Sequence, residues 1–120
     1  MRVAELMSKV LITAEPGETL ETVERRMNHR GVHALPVLDE FGRPAGIITS
    51  TDCGPDIPRS TLVGELITDQ VYSIDATADA REAGRTMRDL GVHHLVVVES
   101  TGRVVGILSS FDLLRVVEES

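Results

Sequence analysis

Aromatic rings, cysteine and positive charge are all scarce in this chain. Its 120 residues include no tryptophan, one tyrosine and two phenylalanines. A surface that stacks nucleic-acid bases needs several exposed rings, so that mode of binding is poorly supplied. Lysine and arginine number 12 against 19 acidic residues, for a formal net charge of −7. Such a chain repels phosphate backbones at long range, and nucleic acid is not expected as a partner. A small anionic ligand stays compatible, because a local pocket can oppose the global charge. The one cysteine, Cys53, cannot close a disulfide within the chain and points to a reducing, cytoplasmic compartment. The N-terminus MRVAELMSKV has no long apolar stretch of signal-peptide type. No apolar run approaches the roughly 20 residues of a membrane span. The expectation is a soluble cytoplasmic protein with no membrane partner.

What the chain does have is apolar aliphatic residue and repetition. Hydrophobic residues make up 42% of it, enough for a core packed by Val, Leu, Ile and Ala. GVHALPVLDEFGRPAGIITSTD (31–52) lies over GVHHLVVVESTGRVVGILSSFD (91–112) without a gap, at an offset of about 60 residues. The offset also pairs VAEL (3–6) with VGEL (63–66), and Met27 with Met87. Gly31/Gly91, His33/His93, Gly42/Gly102, Arg43/Arg103, Gly46/Gly106 and Asp52/Asp112 all coincide. The chain is a duplication, read as copies 1–60 and 61–120 of one domain pair.

Each copy predicts the same elements. After the apolar lead-in, LIT (11–13) and VYSI (71–74) suit short strands. An amphipathic helix follows, with Leu20, Val23 and Met27 on one face in the first copy. Ala80, Ala83, Met87 and Leu90 share that face in the second. Thr19 suits an N-cap, Asp79 with Glu82 fits a capping box, and Gly31 and Gly91 stand where a left-handed C-terminal residue belongs. VHALPVL and HHLVVV read as strands covered on both faces. DEFGR and ESTGR are turns, and AGIIT and VVGILS return as partner strands. The second copy ends in a helix, FDLLRVVEE. The first has DCGPDIPRST there, where Pro58 would clash in a helix interior, so at most one turn is expected.

The terminal Gly-x-x-Thr/Ser-x-x-Asp runs (46–52 and 106–112) and the Gly-x-x-x-Leu-Pro-Val-x-Asp run (31–39) resemble the CBS domain, named after cystathionine beta-synthase. Two in tandem resemble a Bateman module. The second copy is also similar to the last repeat of AMP-activated protein kinase gamma subunits. The resemblance implies an α+β fold. Each repeat is strand–helix–strand–strand–helix, with small mixed sheets packed against helices and a pseudo-twofold relation between repeats. It implies an adenosine compound (AMP, ADP, ATP or S-adenosylmethionine) bound in a cleft between repeats, and homodimerisation into a disc. Site A then joins Thr49 and Asp52 to Ser73, Val92, His93 and His94. Site B joins Ser109 and Asp112 to Thr13, Val32, His33 and Ala34. In the kinase subunits the position of His93 lies near bound phosphates and that of His94 holds an arginine. A largely uncharged imidazole there argues against tight multi-phosphate binding at neutral pH.

The residues support the same chemistry without the family. An aspartate at a strand-to-helix junction can accept from two vicinal ribose hydroxyls. A Thr or Ser three residues earlier can donate to a phosphate at a helix N-terminus, where free N–H groups favour an anion. Apolar Val and Ala flanks can sandwich a purine. The simpler reading makes Asp52 and Asp112 helix N-caps and nothing more. Site B is the better candidate, because the helix after Asp52 is cut short. His33, His93, His94 and Cys53 have no zinc-ligand spacing, so no metal is expected. No Gly-x-Ser-x-Gly elbow, His-Glu-x-x-His or phosphate-binding loop occurs, so no catalytic residue, cofactor or enzyme activity is expected. The expected function is a regulatory ligand-binding module acting on an effector protein. The competing reading is a ligand-free dimerisation scaffold.

Overall fold

A computed structural model describes residues 1–9, 12–67 and 71–115. The chain divides into two compact units, one of residues 11–71 and one of residues 1–10 with 72–120. No helix among the described residues is long and apolar enough to cross a membrane.

In the unit of residues 1–10 and 72–120 the elements in chain order begin with helix α1 (Val3–Leu6) and strand β1 (Ser8–Lys9). The unit of residues 11–71 contributes α2 (Leu20–Arg30), β2 (Ala34–Leu38), β3 (Pro44–Thr49), a 3-10 turn (Ser50–Asp52) and α3 (Val63–Leu66). β4 (Ser73–Asp75), α4 (Ala80–Leu90), β5 (His94–Val98) and β6 (Val104–Ser109) complete the first unit. This is the α+β class expected from the sequence, in two small packed units.

The two long helices are set by local signals. Thr19 Oγ1 accepts the Thr22 N–H at the start of α2, and Asp79 Oδ1 accepts the Arg81 N–H at the start of α4. The Glu82 N–H goes to the Asp79 carbonyl instead, so Asp79 caps one position earlier than a capping box would. Leu20, Val23 and Met27 bury one face of α2, and Ala80, Ala83 and Met87 bury one face of α4. Leu90, expected on that face, is exposed. Both helices stop at a left-handed glycine, Gly31 at φ 66° and Gly91 at φ 68°. The N–H of Val32 then reaches the Met27 carbonyl at 3.0 Å, and that of Val92 reaches Met87 at 3.0 Å, closing the helix end in each copy.

In the unit of residues 11–71, β2 and β3 form an antiparallel hairpin with Leu35 opposite Ile48. Its turn uses Gly42 at φ 77°, and Asp39 Oδ1 accepts the N–H groups of Phe41 and Arg43, each at 2.9 Å. The core is Ala14, Val23, Met27, Leu35, Val37, Ile48 and Val63. The strand expected over 11–13 does not form at Ile12 and Thr13, and Leu11 lies outside the described residues. Only Ala14 bridges, in parallel, to Val37. The causes are Pro36 and Pro16. In the second copy the Val96 N–H, in the place of Pro36, donates to the Tyr72 carbonyl at 3.0 Å. The Ala76 N–H likewise donates to the Val98 carbonyl at 2.9 Å, where the first copy has Pro16. Proline has no N–H, so both rungs are missing and the strand shrinks to one bridge.

The other unit has a mixed sheet in the order β1-β6-β5-β4, with β4 parallel to β5 and the remaining pairs antiparallel. Val3, Leu6, Ile74, Ala80, Ala83, Met87, Leu95, Val97 and Leu108 form its core. The lead-ins are exchanged between the copies. α1, from the first copy, is buried in the core of the second, and α3, from the second, is buried in the core of the first. The same bonds hold both: Val3 N–H to Ala78 O and Val63 N–H to Glu18 O, each at 2.8 Å.

The first copy ends as expected in a single turn, Ser50–Asp52. The following loop is gathered by Arg59, whose guanidinium donates to the carbonyls of Gly54, Ile57 and Cys53 and to Glu24 of α2. After β6, residues 110–113 form a turn leading into helical Leu114 and Arg115. The rest of the expected helix, 116–119, lies outside the described residues.

Candidate functional site

Both Thr/Ser-x-x-Asp runs fold into the same small structure at the end of a strand. At the end of β3 the backbone N–H and the hydroxyl of Thr49 both donate to Asp52 Oδ2, each at 2.8 Å. Thr49 Oγ1 also lies 2.8 Å from Thr51 Oγ1. At the end of β6 the Ser109 N–H donates to Asp112 Oδ2 at 2.8 Å, and the Asp112 N–H donates to Ser109 Oγ at 3.2 Å. The capping residues are therefore Thr49 and Ser109. Asp52 and Asp112 sit three places on and cap backwards, which corrects the simpler reading of the aspartates as N-caps.

This geometry leaves chemistry over. Each carboxylate commits Oδ2 to its own chain, and no hydrogen bond to Oδ1 occurs among the described residues. An ionised carboxylate offers about four lone-pair sites, so each aspartate can still accept from a ligand hydroxyl. The two hydroxyls differ. Thr49 gives its proton to Asp52, whereas Ser109 accepts from Asp112 and, among the described residues, its hydroxyl donates to no partner.

Each unit places part of the expected recognition set at the open end of its hairpin. The Ser50 N–H donates to the His33 carbonyl at 2.8 Å, and Ala34 stands opposite Thr49. Val32 and His33 lie exposed just before it. In the other unit the Ser110 N–H donates to the His93 carbonyl at 2.9 Å, and His94 stands opposite Ser109. Val92 is half-buried and His93 exposed. Ser73 lies in β4 opposite Val96. Thr13 is half-buried just before the Ala14 bridge. The sets expected from the sequence as sites A and B each name residues of both units. The structure thus brings together the members that share a unit: Thr49, Asp52, His33 and Ala34 in one, Ser109, Asp112, His93 and His94 in the other.

Among the described residues no group of three or more His, Cys, Asp or Glu side chains converges as a metal site. Cys53 is half-buried; burial, chiefly, pushes its thiol pKa up, so it is a poor nucleophile. Arg43 and Arg103 pair with Asp39 and Glu99 at the hairpin turns and are largely exposed, consistent with a solubilising role.

Two arginines escape sequence reasoning. Arg26 forms a two-pronged pair with Glu18, Nη1 to Oε1 at 2.9 Å and Nη2 to Oε2 at 2.5 Å, and its Nη1 also donates to the Thr13 carbonyl at 2.7 Å. The hydrogen bond from Arg26, above all, holds the Glu18 carboxyl below its ordinary pKa. Arg59 pairs with Glu24 at 2.8 Å. Lining up the copies is the one available signal. Glu18, Glu24 and Arg26 fall against Ala78, Gly84 and Thr86, so three charges stand in one copy against none in the other. Opposite Gly84 there is instead a shallow groove of about 390 Å³, lined by Gly84, Met87, Val92 and Leu113 among others.

The sequence profile of the CBS domain matches residues 3–53 and 63–119. The arabinose 5-phosphate isomerase KdsD of Pseudomonas aeruginosa is 35% identical over 120 residues, which are 96% of this chain and 36% of that protein. The chain spans 61% of an uncharacterized protein of Methanopyrus kandleri that is 26% identical. Among solved structures, the CBS domain pair of protein MJ0100, in complex with 5′-methylthioadenosine and S-adenosyl-L-methionine, is 26% identical. It superposes with a TM-score of 0.85, covering 99% of this chain and 97% of that one. The cytosolic domain of the Mg2+ channel MgtE in complex with ATP is 28% identical with a TM-score of 0.80, over 96% of this chain and 48% of that one. With both copies matched by the profile, and with the duplicated hairpins and Asp-capped strand ends that the structure displays, this chain belongs to the CBS domain family.

Proposed function

We propose that the chain is a regulatory module that senses an adenosine compound, with AMP, ADP, ATP and S-adenosylmethionine as the candidates. One observation carries this reading: Asp52 and Asp112 stand at matched strand ends, each with one carboxylate oxygen bound to the chain and the other open. An open acceptor beside a Ser or Thr hydroxyl suits a ribose and its phosphate or thioether substituent. The adenosine ligands of the MJ0100 pair and of MgtE support the choice of compound. Asp112 and Ser109, whose hydroxyl donates to no partner among the described residues, are the stronger pair. The residues expected beside them are Thr13, Val32, His33 and Ala34. Asp52 and Thr49, with Ser73, Val92, His93 and His94, make the weaker set. The module acts without chemistry of its own, in the cytoplasm, by changing how an effector protein responds.

Homodimerisation belongs to the same proposal. Phe111 is 79% exposed and Leu114 53% exposed. Adjacent large apolar side chains of this kind are suited to burial against a second copy. Calorimetry with the four compounds at millimolar concentration tests the sensing role. A ligand at 100 times its Kd adds about 2.7 kcal/mol of stability, which a melting curve reads easily. No heat and no melting shift with any of the four would refute it, and leave a ligand-free scaffold as the function.

A further inference from the structure

The backbone around Thr13 makes only the single Ala14 bridge to the hairpin, yet it is tied down. The rung that the second copy makes from the Val96 N–H to the Tyr72 carbonyl has no counterpart, because Pro36 has no N–H to give. The bonds that remain on the hairpin side are those of Ala14, its N–H to Pro36 O at 3.0 Å and its carbonyl from the Leu38 N–H at 2.9 Å. Arg26 supplies the missing restraint from the other side. Its Nη1 takes the Thr13 carbonyl at 2.7 Å, while both arms are gripped by Glu18, whose Oε1 also accepts the Glu15 N–H at 2.9 Å. The pair is largely shielded, with side-chain exposures of 28% and 23%. A two-pronged guanidinium–carboxylate fork is geometrically stiff, so it fixes the carbonyl as well as binding it. Among the described residues nothing bonds to the N–H or the hydroxyl of half-buried Thr13. The second copy cannot build this device, since Ala78 and Thr86 occupy the matching positions.

We infer that Arg26, held by Glu18, is a positioning residue for the ligand. By fixing the Thr13 carbonyl it presents the Thr13 N–H and hydroxyl to the adenosine compound, and it does so in the first copy alone. The inference rests on the sensing function proposed above. It adds that the two copies are unequal in ligand recognition because only one carries the fork.

The test is calorimetry on the full chain with AMP, ATP and S-adenosylmethionine as probes, with the melting temperature of the ligand-free chain recorded beside it. Arg26→Met and Glu18→Gln are expected to raise the Kd of the bound probe about five- to tenfold, as for one lost or misaligned hydrogen bond. Arg26→Lys should recover only part of the loss, since an ammonium cannot form the fork. Arg25→Met, which removes an exposed pair with Glu21, should leave Kd unchanged. In the native chain, the amide resonance of Thr13 should shift on titration, a readout that needs no variant to fold. A purely structural role for Arg26 would lower the melting temperature and leave Kd as it was. Unchanged Kd in both variants, or a Thr13 amide that does not move while the native chain binds, overturns the inference and leaves the sensing function standing. A native chain that binds none of the probes overturns both.

Discussion

Replacing Asp112 by asparagine separates its two roles. Oδ2 accepts the Ser109 N–H at 2.8 Å, a bond that shapes the strand end, and Oδ1 is open for a ligand. Asparagine keeps one carbonyl oxygen for the Ser109 N–H but turns the other arm into an NH2 group, which cannot accept from a ribose hydroxyl. Stability should therefore fall by no more than about 0.5 kcal/mol, since the amide oxygen of asparagine still accepts the Ser109 N–H. Binding should weaken by about 1–3 kcal/mol, the usual cost of leaving polar partners unpaired, or roughly 5- to 150-fold in Kd. Asp112→Ala loses both roles, so the same loss of binding should come with about 1 kcal/mol of destabilisation for the lost hydrogen bond, or roughly 3–5 °C in Tm. At Asp52 the balance tips the other way. Its Oδ2 accepts both the N–H and the hydroxyl of Thr49, so Asp52→Ala should cost more stability than Asp112→Ala and less affinity. Melting curves and calorimetry on the three variants measure both quantities. The reasoning is refuted if Asp112→Asn binds as tightly as the native chain, or if Asp52→Ala abolishes binding while Asp112→Ala leaves it intact.

Three further outcomes follow from the packing. Gly106→Ala would place its Cβ 2.8 Å from the Ser8 carbonyl oxygen and 2.5 Å from Met7 Sδ, so β1 must give way. A loss of about 1–3 kcal/mol is expected in denaturant melts, and an unchanged midpoint would contradict the pairing of β1 with β6. Arg59→Met releases the carbonyls of Gly54 and Ile57 and breaks the pair with Glu24, both partners being about one-third exposed. It should cost about 1–2 kcal/mol and make the 53–61 loop sensitive to protease, with Glu24→Gln adding little on top. Pro36→Val restores a donor for the missing rung. Hydrogen exchange should find a protected amide at position 36, and fast exchange there would show that proline is not what shortens the strand.

Much of this molecule was legible locally. The helices of each copy begin at Thr19 and Asp79 and end at Gly31 and Gly91, because a side-chain acceptor and a left-handed glycine act within one turn of the chain. The hairpins are equally local: two apolar runs joined by a turn with Gly42 or Gly102 leave little freedom in pairing. The strand over 11–13 was misread because its fate depends on a proton that Pro36 lacks, more than twenty residues away. The aspartates were legible as a pair, but their direction of capping was not, since Thr49 and Ser109 claim the cap position once each turn is formed.

Duplication, the order of elements and the matched Thr/Ser-x-x-Asp ends are properties of the sequence by itself, because composition and spacing determine them over a few residues. Tertiary structure decided which lead-in serves which core, and which charges meet. VAEL and VGEL read almost alike, and nothing local assigns α1 to the second copy's core and α3 to the first's. The packing shows why they are not interchangeable. Gly64 lies against Pro16, where an added Cβ would sit 3.1 Å from the proline Cβ and 3.2 Å from its carbonyl oxygen. Ala4, in the same place of the other lead-in, bonds to the small Ala76 instead. Likewise Glu18, Arg26 and Thr13 become one fork, and Glu24 and Arg59 one clasp, only when segments up to 35 residues apart are folded together. Local signals act through hydrogen bonds within a turn, whereas steric fit and charge pairing depend on distance in space, which one-dimensional order does not carry.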